Sequence, residues 1–319
     1  MASVFSREYL QQSATETGFR PDTLEKVLRL ERLLGQVRRH PFLGDRLALK
    51  GGTALNLFFG GPVPRLSVDL DFNYVRPVER AEMLREKPEV ERAVATIAEG
   101  DRYRLQWSSD EHAGRKLYLG YWNGLGTDDH IEVDVNFLHR VPLVPPVERD
   151  GWTPDPDLPC RALVVGTEEM LAGKVLALLD RGAPRDLYDV ASAAAGRWMY
   201  DARFRPLFVA LTGVLDRPVT TYAIPHRPTL SQAELDEQLT PVLRLDERPE
   251  RARLTEAITP LVRGLVGLSD SEREYVERIQ WGEFHPELVL GDYPDLLARV
   301  QQHPGLLWKV ENGRKRRRG

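Results

Sequence analysis

The sequence predicts an α+β protein in which a mixed β-sheet flanked by helices is followed by a mostly α-helical domain. Apolar and polar residues alternate over 65–72 and 130–138, which is the pattern of strands with one buried face. From residue 168 onwards the apolar residues return at helical spacing instead. Since the 319 residues of the chain exceed the roughly 100–200 of a usual domain, we predict two domains, 1–160 and 161–319.

The elements of the first half follow from their apolar spacing and from the residues that bound them. A helix is predicted over 22–39, with Asp22 placed to cap it. A short strand over 46–50 ends at a Gly-Gly pair, and 53–59 has helical spacing. Further strands are predicted over 65–72, 117–122 and 130–138.

The second half begins after a connecting stretch, 141–161, which holds six prolines and has room for an extended segment. The basic tail, 313–319, is expected to be disordered and solvated because its like charges repel one another. Between the two, helices are predicted over 168–180, 186–197, 230–244, 250–265, 269–278 and 293–302.

Composition excludes several classes of protein. Hydrophobic residues make up 42% and charged residues 29% of the chain, the balance of a soluble protein with its own core. The single cysteine, Cys160, excludes a disulfide framework and a cysteine zinc site within the chain. The net charge of −4 excludes a general polycation, so any RNA contact needs a local basic patch. With no apolar run near the ~18 residues of a membrane span and no signal-peptide core, we expect a cytoplasmic protein with no membrane partner.

Two aspartates share one face of the strand predicted over 65–72. Alternate side chains of a strand point to the same side, so Asp69 and Asp71 lie opposite the core face and about 6.5–7 Å apart. Arg65 and Ser67 share that polar face. Both carboxylates could reach a divalent ion, because Mg²⁺ (or Mn²⁺ in its place) takes oxygen ligands and leaves room for phosphate oxygens.

The strand predicted over 130–138 repeats this pattern, with Glu132 and Asp134 on its polar face. If the two strands lie side by side, Asp134 converges on Asp69 and Asp71, and a divalent cation would relieve the repulsion among the three. A solvated sheet face is the alternative, and it is the usual explanation of one such strand alone. Because both predicted strands carry acidic residues on the face opposite their apolar residues, the pattern favours the metal site.

Gly51 and Gly52 stand between the short strand and the helix that starts near Thr53. Glycines at such a turn let backbone N–H groups approach a phosphate, and a helix N-terminus favours an anion. A plain strand-to-helix turn explains a Gly-Gly pair taken by itself. The order of strand, Gly-Gly, short helix and two carboxylate strands favours phosphate binding.

These motifs resemble those of a known enzyme superfamily. Lys50-Gly51-Gly52-Thr53-Ala54-Leu55, Arg65-x-Ser67-x-Asp69-x-Asp71 and Glu132-x-Asp134 are similar to the signature of DNA-polymerase-β-type nucleotidyltransferases, and more narrowly of the AbiEii/MenT toxins. The resemblance covers residues 45–195. It implies a nucleotidyltransferase catalytic domain over 1–160, with metal bound by Asp69, Asp71 and Asp134 and a triphosphate bound near Gly51, Gly52, Thr53, Arg65 and Ser67.

The family also has a lysine and a later aspartate. In the helix predicted over 168–180, Lys174 lies on the apolar stripe, where a charge is costly unless it is paired. A snorkelling surface lysine is the alternative. The resemblance implies that Lys174 binds the nucleotide phosphates. Asp186 and Asp189 compete for the aspartate role, and the resemblance favours Asp189, with Asp186 as its neighbour at the nucleotide.

The resemblance further implies a toxin of a toxin–antitoxin pair that transfers a nucleoside monophosphate from a nucleoside triphosphate to an acceptor hydroxyl. The implied acceptor is the 3′ end of tRNA, bound by a helical domain, 161–319, that completes the active site. A cognate antitoxin protein is an implied partner. Two alternatives stay open: a protein or small-molecule acceptor, and a nucleotide-binding module without catalysis.

Overall fold

The computed structural model describes residues 4–59, 62–76, 79–108, 114–196, 201–222 and 230–318. The chain divides into two compact units. The first comprises the residues up to Arg140, Pro146–Val165 and Thr240–Glu247, and the second comprises Val141–Pro145, Gly166–Leu239 and the residues from Arg248 onwards. A mixed sheet in the first unit and helices in the second confirm the predicted α+β class.

The first unit contains both strands and helices. Its strands are β1 (Leu47–Lys50), β2 (Asp69–Tyr74), β3 (Arg104–Trp107), β4 (Gly114–Trp122), β5 (Asp128–Asn136), β6 (Val147–Gly151) and β7 (Cys160–Val164). Its helices are α1 (Arg7–Thr17), α2 (Pro21–Arg39), α3 (Gly51–Leu57) and α4 (Arg80–Gly100). The proline-rich stretch thus contributes β6 and the start of β7.

The strands form one mixed sheet in the order β3-β4-β5-β2-β1-β7-β6. β2 runs parallel to β5 and β1 parallel to β7, while the other neighbouring pairs are antiparallel. The apolar residues of alternate positions, such as Phe72 and Val133, are at most 3% exposed and form the core side of the sheet. α2 has an apolar stripe and packs against β5 and β7. The opposite face is left to polar side chains.

The first carboxylate strand begins later than the alternation predicts, at Asp69 instead of Arg65. Leu66 donates its backbone N–H to the carbonyl of Val242 at 2.7 Å. That segment is therefore held by the returning Thr240–Glu247 stretch and not by a neighbouring strand. Arg65 and Ser67 lie before β2 and are 1% and 5% exposed, so the predicted start of the strand was wrong. That they share a face with the aspartates stays a prediction.

The second unit is helical throughout its described residues. Short 3-10 turns lie between some of its helices. Its helices are α5 (Thr167–Arg181), α6 (Pro184–Ala194), α7 (Phe204–Leu211), α8 (Gln232–Leu239), α9 (Arg251–Val266), α10 (Asp270–Gln280), α11 (Glu287–Leu290), α12 (Pro294–Gln301) and α13 (Pro304–Arg318). None of the helices in the described ranges combines the length and the apolarity that a membrane crossing requires.

The basic tail is helical, which corrects the expectation of a disordered segment. α13 continues through Arg318. Three of its cations have partners: Arg317 pairs with Glu283 at 2.7 Å, Lys315 pairs with Glu311 at 2.9 Å, and Arg314 donates to the carbonyl of Gly282 at 3.0 Å. These partners offset the repulsion among like charges on which the expectation rested.

Candidate active site

The polar face of the sheet brings the two carboxylate strands together. Asp71 lies directly opposite Asp134, and Asp69 lies directly opposite Glu132, in the parallel pairing of β2 with β5. Residues paired in this way point to the same face from strands about 4.8 Å apart. The three aspartates therefore occupy one half-buried patch. The strands are adjacent and in matched register, as the interpretation of Asp134 required.

A lysine flanks this pair of carboxylates on each side. Lys50 of β1 is in register with Asp71, and Lys116 of β4 is in register with Asp134. Burial, followed by the charge of Asp71, raises the pKa of Asp134, while the two lysines oppose that rise. The patch thus has two close, mutually repelling carboxylates at its centre and cations at its margins.

Gly51 brings the backbone directly against one of these carboxylates. It opens α3 straight after β1 with a φ of +72°, in the left-handed region that favours glycine. A Cβ atom added at Gly51 would overlap Oδ2 of Asp71. The predicted phosphate turn and the predicted metal site are therefore in contact.

The other predicted phosphate-site residues of this unit surround the same turn. A Cβ atom added at Gly52 would lie 2.8 Å from Oγ of Ser67 and 2.9 Å from Nη2 of Arg65. The hydroxyl of Thr53 donates to the backbone carbonyl of Asp69 at 2.5 Å. That bond ties α3 to β2, so the Thr53 hydroxyl has a structural role in addition to its predicted one.

Lys174, Asp186 and Asp189 form a second charged cluster, within the second unit. Nζ of Lys174 on α5 lies 2.9 Å from Oδ1 of Asp186 and 2.9 Å from Oδ2 of Asp189, both on α6. Both aspartates are fully buried, and Nε of Arg181 lies 2.7 Å from Oδ2 of Asp186. The Lys174 side chain is 11% exposed, so it is not a snorkelling surface lysine. Each aspartate pairs with the lysine at the same distance, so the geometry does not decide which of them has the aspartate role that the family resemblance implies.

The donor set of the sheet patch suits a hard divalent cation. Mg²⁺ usually takes one or two protein carboxylates and completes its shell with water and substrate phosphates. Among the described residues, no three His, Cys, Asp or Glu side chains converge as a complete metal cage. A pair such as Asp71 and Asp134, whose repulsion a cation would relieve, fits the incomplete protein shell that Mg²⁺ accepts. Asp69 as a further ligand stays a prediction.

Sequence analysis assigned no role to Lys50 or Lys116. Nζ of Lys116 lies 3.0 Å from Oε2 of Glu132, and this hydrogen bond raises the pKa of Lys116. The strand predicted over 117–122 left Lys116 outside, whereas β4 begins at Gly114. Extending the alternation backwards from Leu117 would have placed Lys116 on the polar face.

His139, which follows β5, is expected to titrate well below an ordinary histidine. Burial, and then the charge of Lys50, lowers its pKa to about 4. The unfolded chain binds this proton near pH 6.5, so between about pH 6.5 and 4 the unfolded state holds more protons. The free energy of unfolding should therefore fall as the pH falls through this window. NMR titration of the His139 ring checks the midpoint, and His139→Gln should flatten the stability profile; a midpoint near 6.5 would contradict the prediction.

Known proteins share this sequence pattern and this fold. A family model described as the nucleotidyl transferase AbiEii toxin of type IV toxin–antitoxin systems matches residues 32–277. The structure is similar to that of MenT4, a nucleotidyltransferase toxin from Mycobacterium tuberculosis, with a TM-score of 0.64 and 18% sequence identity over 93% of this chain and 98% of that one. At this identity the likeness shows the fold. A comparison with curated protein sequences gave no match.

Proposed function

The chain belongs to the AbiEii family of nucleotidyl transferase toxins of type IV toxin–antitoxin systems, and from this premise we propose that it transfers a nucleoside monophosphate from a nucleoside triphosphate to an acceptor hydroxyl. The observation that carries the proposal is the Asp71–Asp134 pair directly beneath Gly51. It provides cation ligands and a close backbone turn at one place. Transfer to a phosphorus centre needs both, because the triphosphate is anionic and must be held in line with the attacking oxygen.

The acceptor that we propose is the 3′ end of tRNA, and the proposed partner that controls the protein is a cognate antitoxin. Family membership supports the antitoxin, since a type IV toxin–antitoxin system pairs a toxin with an antitoxin. The tRNA acceptor follows from the resemblance of the sequence motifs to those of the AbiEii/MenT toxins. A protein or small-molecule acceptor, and a module that binds nucleotide without transfer, are the alternatives. The labelling experiment below distinguishes transfer to RNA, transfer to protein, and binding without transfer; label that survives both ribonuclease and protease would favour a small-molecule acceptor.

The residues of the sheet patch have distinct proposed roles. A divalent cation bound by Asp71 and Asp134, with Asp69 beside them, would neutralise charge on the phosphate oxygens. The backbone of Gly51 and Gly52 would seat the triphosphate, and Lys50 would add a positive charge next to Asp71. Lys174 stays a predicted phosphate ligand.

The chemistry at the patch is an in-line displacement. The acceptor oxygen forms a bond to the α-phosphorus, the bond from that phosphorus to the bridging oxygen breaks, and pyrophosphate leaves with the electron pair. The proton of the acceptor hydroxyl passes to water. A cation held by Asp71 and Asp134 would lower the pKa of that hydroxyl and so assist the loss of the proton.

The test is a labelling assay with Mg²⁺, total tRNA and each of the four ribonucleoside triphosphates labelled at the α-phosphate. We expect the label to enter RNA and to be removed by ribonuclease. A cell extract is assayed in parallel. Label that survives ribonuclease but not protease would favour a protein acceptor, and triphosphate binding without pyrophosphate release would favour the module that does not transfer.

Gly51→Ala is expected to lower transfer activity by about a hundredfold or more, since displacement of reacting groups by about 1 Å has that effect. The new methyl group would overlap Asp71, and the positive φ adds roughly 1–2 kcal/mol of backbone strain. Gly126→Ala is the matched control, because Gly126 has a φ of +89° and its nearest neighbouring atom would lie 4.0 Å from the added Cβ. It should show the strain in thermal unfolding and keep its activity. Equal activity loss in the two variants would contradict the prediction.

A further inference from the structure

A pocket opens in the polar face of the sheet beside the carboxylates. Its volume is about 500 Å³, within the range of small-ligand sites. It lies over β3, β4 and β5, and the residues that matter for recognition are Arg104, Gln106, Tyr118, Gly120 and His130. No role assigned to the active site so far uses any of them.

The pocket is continuous with the proposed catalytic patch. Tyr118 is in register with Glu132, which is in register with Asp69. Gln106 is in turn opposite Tyr118. With strands about 4.8 Å apart, Tyr118 lies about 10 Å across the sheet from Asp69. Asp69 and Tyr118 thus lie on the same face of the sheet, two strand spacings apart.

The order of strands assigns the pocket to the acceptor. The Gly51-Gly52 turn follows β1, on one side of β2 and β5, and the pocket lies over β4 and β3, on the other side. In an in-line displacement the attacking oxygen and the leaving pyrophosphate stand on opposite sides of the α-phosphorus. If the triphosphate occupies the side of the turn, the acceptor reaches the phosphorus from the side of the pocket.

The lining suits a nucleobase. Gly120 stands opposite both Arg104 and His130, and the guanidinium of Arg104 lies over it, 3.2 Å from where a Cβ atom would stand. The Tyr118 and His130 rings stand beside it, with centroids 6.1 Å apart in an edge-to-face arrangement. Any of the four bases can stack on such a ring, because every base has a π-face. The amide of Gln106 can both donate to and accept from a base edge.

Carboxylates at both ends of the pocket indicate which bases fit. Glu132 adjoins Tyr118 at one end, and at the other Asp128 forms an ion pair with Arg104. Carboxylates accept hydrogen bonds from exocyclic amino groups and repel phosphates. Adenine, cytosine and guanine carry such amino groups, and uracil does not.

We propose that this pocket binds a nucleobase at the 3′ end of the acceptor RNA, stacked on Tyr118, with a base that carries an exocyclic amino group preferred over uracil. The inference rests on the proposed nucleotidyl transfer to RNA and adds the site that holds the acceptor. Lys116 lies between the pocket and Asp134 on β4 and is 46% exposed, a position from which it can meet the backbone phosphate next to that base.

The experiment measures RNA binding and transfer separately. A short fluorescent single-stranded RNA with a free 3′ hydroxyl is titrated with protein and Mg²⁺ in the absence of triphosphate, once ending in adenosine and once in uridine. We expect tighter binding of the adenosine end. Tyr118→Ala should raise the Kd for it by roughly ten- to a hundredfold, the value of one lost base stack, and Tyr118→Phe should restore most of the affinity. Trp281→Ala removes an exposed ring (61%) from a different element and should leave the Kd as it is.

Steady-state kinetics supply the second readout. For Tyr118→Ala we expect the KM for RNA to rise with the Kd, and the KM for the triphosphate to change far less. A rise in the triphosphate KM instead would overturn the inference, since the pocket would then hold the incoming base. Normal RNA binding by Tyr118→Ala in a protein that labels RNA would overturn the inference alone. A wild-type protein that neither binds nor labels RNA would overturn the proposed function as well.

Discussion

Asp71→Asn is expected to reduce nucleotidyl transfer by roughly a thousandfold or more, the scale of losing a catalytic cation's charge stabilisation. Asp71 is the centre of the sheet patch. It is in register with Asp134 of β5 on one side and with Lys50 of β1 on the other, and Gly51 lies directly against it. Asparagine keeps the shape of the side chain and removes only its charge. The labelling assay with α-labelled triphosphate and RNA measures the effect.

The stability of the same variant separates lost chemistry from lost folding. The charge of Asp71 helps to raise the pKa of Asp134, so in the absence of metal the two carboxylates repel each other. Asp71→Asn should therefore unfold at the same temperature as the wild type or at a higher one in metal-free buffer. Asp150→Asn, a 76% exposed carboxylate on β6 of the same sheet, is the matched control and should keep its activity. An active Asp71→Asn protein would refute the proposed site.

Lys174→Met is expected to lower the free energy of unfolding by about 3–5 kcal/mol, the usual effect of removing one member of a buried ion cluster. Its ammonium pairs with Asp186 and Asp189, which are both fully buried. Without it their charges lose a close partner in a dry environment. Denaturant unfolding of the two proteins measures the difference. Lys315→Met, which removes a 69% exposed lysine from α13, should change the stability by less than about 0.5 kcal/mol.

The pH dependence of the stability difference between wild type and Lys174→Met tests whether lost charge interactions cause it. Burial acts to raise the pKa of Asp186, but Lys174 and Arg181 outweigh it, so the pKa of Asp186 is lowered. A carboxyl with a lowered folded-state pKa stabilises above its unfolded value of about 3.9 and loses this contribution as the pH falls further. In folded Lys174→Met the two buried carboxyls lack the lysine, and burial then raises their pKa values above that of the unfolded chain. The stability gap between wild type and Lys174→Met should therefore narrow as the pH falls, and it should begin to do so above about pH 4. A gap that stays constant down to pH 2 would show that packing, and not charge, is lost.

A triple variant addresses the predicted role of Lys174 at the nucleotide. Lys174→Met combined with Asp186→Asn and Asp189→Asn leaves no buried charge without its partner and should recover part of the stability. If the three residues serve only the fold, transfer activity should return with the stability. If they act at the nucleotide, the KM for the triphosphate should remain high in the triple variant.

Local patterns account for the part of the site that was predicted from sequence. The period of a strand is two residues, so the alternation around Asp69, Asp71 and Asp134 determines which side chains share a face. That Asp71, and not Asp69, stands opposite Asp134 is a matter of register between strands distant in the chain. No local pattern specifies it, and the flanking position of Lys116 depends on the same register.

Long-range contacts account for the parts of the fold that were mispredicted. Arg65 and Ser67 continue the alternation, yet they leave the strand because Leu66 bonds to Val242, far along the chain. α13 is helical because partners such as Glu283 offset the charges of its tail. In both cases the partner residue, Val242 or Glu283, is too far along the chain for a local periodicity to include it.

The return of Thr240–Glu247 to the first unit has a consequence for how the protein is made. The carbonyl of Val242 accepts a hydrogen bond from the Leu66 N–H, and the carbonyl of Pro241 accepts one from the Thr23 hydroxyl. The unit that contains the sheet is therefore completed by residues that leave the ribosome late. Translation must pass through helices α5–α8 before that carbonyl exists. A nascent or prematurely terminated chain that stops before Thr240 has every strand and every carboxylate of the sheet but lacks the clasp beside Arg65 and Ser67. Translation products that stop before Thr240 therefore lack both of these hydrogen bonds.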